Sequence, residues 1–143
     1  MLCVKQIDVS SIDYSHELEL RELILRRPQN LILSEDDLRY DALFIHLGAY
    51  LEDELIGCCI YRESSNGVVQ IKQVCVLPKF QHQEVGRTLM LEAEKRIKNE
   101  GYKQIMLHAR VNAWNFYEHL DYEFEGETFI EVGIKHKKMI KML

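Results

Sequence analysis

The amino-acid sequence predicts one α/β domain over residues 1–143, in which a mixed β-sheet is flanked by helices. Short apolar segments typical of strands are interspersed with segments whose apolar residues recur with a helical period. A hydrophobic fraction of 47% and a charged fraction of 29% are typical of a globular protein, and this length suffices for one self-contained core. The predicted order of elements is β-α-α-β-β-β-α-β-α-β-β.

The N-terminal part of the chain predicts a strand and two helices. Apolar residues alternate through residues 2–9, and the two serines that follow are residue types that commonly cap a helix. A helical pattern over residues 12–26 is interrupted at Pro28. The acidic segment that begins at Ser34 resembles a second helix start, and we expect one short turn there.

Three strands are expected next. Residues 43–51 and 55–61 are strongly apolar and flank an acidic turn, and residues 68–77 form a third apolar segment. Asn66-Gly67, the dipeptide most typical of a tight hairpin, lies between the second segment and the third. We therefore expect three consecutive antiparallel strands.

The rest of the chain predicts helix, strand, helix and two final strands. Apolar residues recur every four positions from Val85 to Ile97, which indicates one face of a helix, and Gly101 is suited to end it. The elements expected afterwards are a strand over 103–109, a short helix over 113–120 capped by Asn112, a strand over 122–130 and a last strand over 139–143.

Composition argues against several classes of function. A net charge of −5 does not favour nucleic acid as a partner, and no apolar run approaches the roughly 20 residues of a membrane span. The first ten residues alternate and carry charges, so they do not resemble a signal peptide. No metal site is expected, because the six histidines are scattered and share no ligand spacing with the cysteines.

The cysteines indicate a reducing compartment. The chain has four, Cys3, Cys58, Cys59 and Cys75, with apolar flanks and no Cys-x-x-Cys spacing. We expect all four to be buried thiols, which predicts a cytoplasmic location.

The segment from Gln73 to Met90 is the centre of the predicted function. It is expected to run from a buried strand through Pro78 and a polar loop into a helix with Gly86 in its first turn. The first turn of a helix has amides without internal partners and is the positive end of the macrodipole. A glycine there allows a phosphate to approach the backbone, so the segment is suited to a diphosphate. Neither Gly-x-Gly-x-x-Gly nor Gly-Lys-Ser/Thr is present.

This segment resembles motif A of the GCN5-related N-acetyltransferases (GNAT family). That motif, Gln/Arg-x-x-Gly-x-Gly/Ala, lies between the fourth strand and the third helix, where its amides hold the pyrophosphate of acetyl-CoA. Gln81 and Gly86 match it, and so does the preceding Val-x-Val-x-Pro. Glu84 stands where the family usually has glycine.

A second segment resembles motif B of the same family, Ala-x-x-Phe-Tyr-x-x-x-Gly-Phe/Tyr. The matching residues are Ala113, Phe116, Tyr117 and Tyr122, while Asp121 replaces the usual glycine. Arg110 and the C-terminal frame of Phe129, Gly133, Ile134, His136 and Met139 are similar to a small bacterial, ElaA-like branch of the family. The resemblance covers nearly the whole chain.

The resemblance implies an N-acetyltransferase that moves the acetyl group of acetyl-CoA to a primary amine by direct attack in a ternary complex. Tyr117 occupies the family's general-acid position, and a phenol is a reasonable proton donor to a departing thiolate. The backbone of the fourth strand would bind the pantetheine arm, and the loop amides the diphosphate. The cofactor-binding residues so implied are Val74, Cys75, Val76, Gln81, His82, Gln83, Glu84, Val85, Gly86, Arg87, Asn112 and Phe116.

The sequence leaves the general base open. His108 lies near the cofactor in the family frame and is the first candidate, and the alternatives are Glu131, His136 or a chain of waters. An ordinary structural role is equally compatible with either histidine. His46 lies in an apolar segment and is expected to be a hydrogen-bonded core histidine.

The departures from the family pattern support an alternative function. Glu84, Arg110 and Asp121 favour a catalytically weak or inactive GNAT-fold module that binds CoA or a protein partner. A carboxylate at position 84 either points to solvent or competes with phosphates for the helix amides. The acceptor is left as a small-molecule or peptide amine, and an exposed sheet edge would allow a homodimer.

Overall fold

The computed structural model describes residues 1–143 as a seven-stranded mixed sheet with helices on both faces. The strands are β1 (Leu2–Ile7), β2 (Ile45–Leu51), β3 (Glu54–Ser65), β4 (Val68–Val76), β5 (Gln104–Arg110), β6 (Glu123–Glu131) and β7 (Ile134–Met142). The α-helices are α1 (Ile12–Arg21), α2 (Glu35–Leu38), α3 (Val85–Asn99) and α4 (Trp114–Glu118). The predicted fold class and order of elements are confirmed.

The sheet has the spatial order β1-β2-β3-β4-β5-β7-β6, and only β4 and β5 are parallel neighbours. Helix α3 packs on one face, over a core that includes Leu89, Met90 and Ile97. Helix α1 packs on the other face against β3 and β4. The helices are too short or too polar for any of them to cross a lipid bilayer.

The two parallel strands separate towards their C-terminal ends. They pair at only three positions, from Val68 with Gln104 to Gln70 with Met106, although β4 continues to Val76 and β5 to Arg110. The unpaired halves leave a cleft in the middle of the sheet, below the first turn of α3. This cleft positions the candidate site.

A β-bulge in β4 lies beside the cleft. Ile60 pairs with Lys72 and Cys58 pairs with Cys75, so two residues of β4 stand opposite one residue of β3. Gln73, within the bulge, has a positive φ of 55°. The extra residue reverses the alternation of side chains along the strand.

This reversal determines which residues of β4 lie on each face of the sheet. Val74 and Val76 pack on the α3 face, together with Ile71 from before the bulge. Cys75 packs on the opposite face against Leu20 and Leu25.

Several sequence predictions need correction. Asn112 does not cap α4: it is exposed in a 3₁₀ turn, and the N-cap is Ala113. A side-chain cap is unnecessary because the amide of Trp114 is already bonded to the carbonyl of Val111. Cys3 is exposed, because successive side chains of the edge strand β1 point to opposite faces.

Two element boundaries also differ from the sequence predictions. The last strand begins at Ile134 rather than 139, since Val132 and Gly133, both with positive φ, form a two-residue turn that pairs it with β6 at once. Helix α1 ends at Arg21 and continues as a π-helical turn over Glu22–Arg26.

Candidate active site

A cavity of about 130 Å³ opens where β4 and β5 separate. The β4 bulge, β5, α4, the π-helical turn and the β6–β7 turn all contribute to its wall. The chemically functional side chains among its lining are Arg26, Gln70, Lys72, Gln73, His108, Arg110, Tyr117, Glu131 and His136. Two predicted catalytic residues, Tyr117 and His108, therefore meet in one cavity although they come from different elements.

The first turn of α3 stands at the end of β4, after the polar loop. Its N-cap residue is Glu84, whose side chain forms no capping hydrogen bond, so the first amides of the helix are left without a side-chain partner. A Cβ built on Gly86 would lie 3.2 Å from the ring of Phe116 and 3.8 Å from Val76. Glycine here allows the helix start to pack closely on α4 and β4.

Hydrogen bonds from glutamine side chains hold the loop before α3. The Nε2 of Gln81 donates to the carbonyl of Val76 at 3.0 Å, and that of Gln83 donates to the carbonyl of Lys79 at 3.3 Å. His82 and Glu84 have positive φ values of 66° and 65°. The loop thus turns sharply twice before the helix begins.

The side chain of Glu84 points to solvent. It is 77% exposed, and its Oε2 lies 3.5 Å from Nε of Arg87 one turn along the helix. The sequence allowed the carboxylate either to point to solvent or to compete for the helix amides. The structure has the outward orientation, so the carboxylate leaves the first amides of α3 uncovered.

Tyr117 is buried at the inner wall of the cavity. Its ring makes edge-on contacts with Phe116 and Tyr122, at centroid distances of 5.0 and 5.7 Å. Burial raises the pKa of its hydroxyl, and no hydrogen bond within the chain contributes to that shift. The phenol therefore stays protonated throughout the physiological range, and its O–H is available to a ligand.

His108, Glu131 and His136 form a linked triad. The Nδ1 of His108 lies 3.1 Å from Oε1 of Glu131, and the Nε2 of His136 lies 3.7 Å from Oε2. The hydrogen bond from His108, followed by the charge of that histidine, lowers the pKa of Glu131 although partial burial opposes the shift. The three alternatives for a general base thus lie in one wall, on β5, β6 and β7.

The triad resembles the base-and-orienter arrangement of many active sites. A neutral His108 that donates its Nδ1 proton to Glu131 has an unprotonated Nε2 that can accept a proton. His136 is anchored separately, since its Nδ1 faces the carbonyl of Ile134 at 2.8 Å, and it is 3% exposed. His108 is the more accessible of the two, with 31% of its side chain exposed.

Of the predicted cofactor-binding residues, only Val74 lines the cavity. Cys75 faces the α1 side of the sheet, with its thiol 3.5 Å from that of Cys58. Asn112 is exposed and absent from the lining, and the side chain of Val85 is buried in the core under α3. Only backbone groups of Cys75 and Val85 could therefore contact a ligand on the α3 side.

Residues that sequence reasoning did not assign also line the cavity. Arg26 comes from the π-helical turn, and Lys72 and Gln70 come from β4. The segment Leu25-Arg26-Arg27-Pro28 also resembles the ElaA-like branch of the family, and this resemblance is the one signal for Arg26 in the sequence.

A second polar cluster lies beneath α1, where hydrogen bonds join His46, Glu17, Asp41 and Arg21 while Nε and Nη2 of Arg21 have no hydrogen-bond partner. The Nδ1 of His46 lies 2.8 Å from Oε2 of Glu17, and its Nε2 lies 2.8 Å from the carbonyl of Asp41. Both ring nitrogens face acceptors, and although burial lowers the pKa of His46, Glu17 and Asp41 together raise it more. Arg21 bridges Glu17 and Asp41. His46 is the expected hydrogen-bonded core histidine.

Comparison with known proteins identifies one family. A family model described as an acetyltransferase (GNAT) domain matches residues 38–143. The Bacillus subtilis protein BSU40680 is 26% identical over 141 residues, which are 96% of this chain and 95% of that one. The spermidine N(1)-acetyltransferase of Thermoplasma acidophilum is 33% identical over 104 residues, 72% of this chain and 56% of that protein.

Solved structures share the fold over their full length. Escherichia coli ElaA superposes with a TM-score of 0.81 at 24% identity, over 99% of both chains. A GNAT acetyltransferase from Elizabethkingia anophelis, solved with acetyl-CoA bound, has a TM-score of 0.78 at 19% identity over 99% of this chain and 98% of that one. The topology of the sheet, the cleft between β4 and β5 and the similarity to these solved structures together define an acyl-CoA N-acyltransferase fold. The chain belongs to the GNAT family of acetyltransferases.

Proposed function

We propose that this chain transfers the acetyl group of acetyl-CoA to a primary amine by direct attack in a ternary complex. The observation that carries this proposal is the convergence of Tyr117 and the His108–Glu131 pair on one cavity, where β4 and β5 separate. A proton donor and a proton acceptor are the two groups that aminolysis of a thioester needs from the protein.

The residues around the cleft fit acetyl-CoA. The first amides of α3 are free of side-chain caps, and a helix N-terminus is suited to a diphosphate. The loop residues Gln81, His82 and Gln83 lead into that turn, while Arg87 adds a cation beside it. The bulged half of β4 lacks a partner on the β5 side, so backbone groups from Val74 to Val76 are positioned for the pantetheine amides. Bound acetyl-CoA supplies an activated acetyl group as a thioester.

The chain's own residues then handle two protons. His108, oriented by Glu131 through Nδ1, accepts the proton of the attacking amine at Nε2. Tyr117 donates its phenolic proton to the departing thiolate; burial keeps the hydroxyl protonated beforehand, and the nearby charge of Arg110 opposes the rise in its pKa. Water is partly excluded from this step because Tyr117 and His136 are both buried.

The covalent alternative through a cysteine is not supported by the geometry. Cys75 is on the α1 face, packed against Leu20 and Leu25. Its thiol lies 3.5 Å from the thiol of Cys58. A thiol without an adjacent base is a poor nucleophile.

Two measurements test the proposal. The melting temperature is measured with and without acetyl-CoA, because ligand at 100 times its dissociation constant adds about 2.7 kcal/mol of stability. Thiol release is then followed with a panel of amines that includes amino acids, peptides and spermidine, the substrate named for the Thermoplasma relative. A stabilising shift followed by amine-dependent thiol release supports the enzyme. A shift without thiol release from any amine favours a module that binds CoA, and no shift at millimolar acetyl-CoA contradicts the enzyme and favours a module that binds a protein partner.

A further inference from the structure

Two arginines meet at the end of the cavity formed by the π-helical turn. The Nη2 of Arg110 donates to the carbonyl of Leu25 at 3.0 Å, and the Nη1 of Arg26 donates to the same carbonyl at 3.3 Å. Both side chains line the cavity, and Arg26 is 7% exposed. Two guanidinium groups are therefore held side by side, partly out of water, by one neutral oxygen.

The protein supplies too little negative charge for this pair. Arg26 is 3.3 Å from Asp37, but Arg110 takes part in no salt bridge. The one carboxylate in the cavity wall, Glu131, is engaged by His108 and His136. Burial, followed by the repulsion of Arg26, lowers the pKa of Arg110, as expected for a cation without a partner.

The cavity wall thus combines two unlike kinds of group. Arg26 and Arg110 provide fixed donors, and a guanidinium binds a carboxylate with two parallel hydrogen bonds. The Nε2 of His108, whose Nδ1 faces Glu131, provides an acceptor suited to an amine. A volume of about 130 Å³ is the room of roughly four waters at liquid density, which suits a small free amino acid.

We propose that the acceptor is an amine that also carries a carboxylate, a free amino acid, whose carboxylate is bound by Arg110 and Arg26 while its amine faces His108. This assignment rests on the proposed acetyl transfer and specifies its substrate class. A polyamine is disfavoured, because its further cationic groups would meet Arg26, Arg110 and Lys72.

Binding is tested without CoA, so that the diphosphate cannot be the bound anion. The melting temperature of the full chain is measured with the N-acetyl derivatives of the twenty protein amino acids, each beside its carboxamide. We expect at least one acid to raise the melting temperature by a few degrees at millimolar concentration while its carboxamide does not. The shift is expected to be lost in Arg110→Met and Arg26→Met and retained in Arg27→Met, a neighbouring exposed arginine that does not line the cavity.

Kinetics separate this inference from the proposed function. With free amino acids and their amides as acceptors, we expect kcat/KM for the acid to exceed that for the amide by about 100-fold. Arg110→Met is expected to remove this preference by raising the acceptor KM, with the KM for acetyl-CoA unchanged. Arg110→Lys keeps the positive charge but cannot bind a carboxylate with two parallel hydrogen bonds, so we expect it to retain part of the preference. This variant keeps the inference testable if Arg110→Met folds poorly.

The outcomes are distinguishable. Equal use of acids and amides, no shift with any acid, or a shift that survives Arg110→Met overturns the substrate class and leaves acetyl transfer intact. A carboxylate shift that depends on Arg110, without thiol release from any amine, supports the carboxylate site and overturns the transfer reaction.

Discussion

The carboxylate of Glu84 lies 3.5 Å from the Nε of Arg87, and the two residues stand side by side at the first turn of α3. Glu84 also has a left-handed backbone conformation, with φ of 65°. The position that corresponds to glycine in the motif that this segment resembles is therefore occupied by a residue that carries both backbone strain and a negative charge. The strain and the charge can be tested separately.

We predict that Glu84→Gly stabilises the chain by about 1 kcal/mol, because glycine adopts the left-handed conformation without a Cβ clash. It should also lower the Kd for CoA several-fold, since a carboxylate beside the proposed diphosphate site is removed. Urea unfolding and CoA titration measure the two effects.

Glu84→Gln is the matched control: it removes the charge but keeps the strain, so it should tighten CoA binding without raising stability. Unchanged CoA affinity in both variants would contradict the proposed location of the diphosphate.

Tyr117 and Tyr122 are neighbouring residues at which the same substitution is expected to have different effects, on catalysis at Tyr117 and on stability at Tyr122. Their rings are in contact, but only Tyr122 has a hydrogen-bonded hydroxyl, which donates to Glu94 at 2.8 Å. We predict that Tyr117→Phe lowers kcat by roughly 10² to 10⁴ with little change in melting temperature. Tyr122→Phe should instead destabilise the chain by about 1.5–3 kcal/mol and leave kcat nearly unchanged. Wild-type turnover in Tyr117→Phe would remove that residue as the acid.

The sequence was most informative where the signals were local. The strand, loop and helix around Gly86 follow from apolar alternation, a proline and a helical period, and the structure has all three. The bulge at Gln73 has no such signal, because it depends on the register between β3 and β4. The prediction that Asn112 caps α4 was wrong because the preceding 3₁₀ turn already supplies the first hydrogen bond.

Which residues meet in the site is apparent only from the tertiary structure. Tyr117 and His108 could be chosen from the sequence, since both lie in segments similar to family motifs. The link from His108 to Glu131 joins β5 to β6, and the meeting of Arg26 with Arg110 joins residues 84 positions apart in the chain, so neither follows from spacing. Long-range strand order, rather than any local pattern, brings these side chains together.

The cysteines predict a simple pattern of chemical reactivity. Cys3 is exposed, whereas Cys58, Cys59 and Cys75 are buried, and burial raises the pKa of Cys59. We expect a thiol-alkylating reagent at pH 8 to add one label to the native chain and four to the chain unfolded in urea, as measured by mass spectrometry. Cys3→Ser should take no label when native. Two or more labels on the native chain would mean that the sheet opens around β3.

His46 predicts how stability depends on pH. Its pKa is raised above the ordinary value of 6.5, so the native state binds more protons than the unfolded state above that pH. The stabilisation is complete below about pH 6.5 and is lost as pH rises through the folded-state pKa. The free energy of unfolding in urea should therefore fall between pH 6.5 and 8, before thiols and phenols titrate.

His46→Gln is the variant that tests this assignment. It removes the cation from a buried pair with Glu17, which should cost roughly 3–5 kcal/mol, and it should flatten the dependence between pH 6.5 and 8. His16→Gln, at an exposed histidine of α1, serves as the control and should keep the wild-type slope. A slope that persists in His46→Gln would assign the titration to another group.

We expect the reaction to depend on His108 only at a pH where the acceptor amine is still protonated. If its Nε2 accepts the amine proton, His108→Gln should lower kcat/KM by about 100-fold near pH 7. That loss should shrink as pH rises towards the pKa of the amine itself, because the attacking group then arrives already deprotonated. The measurement is a pH–rate profile of thiol release, with His119→Gln, an exposed histidine after α4 and outside the cavity, as the matched control. A loss of equal size at every pH would mean that His108 positions Glu131 or the substrate rather than accepting the proton.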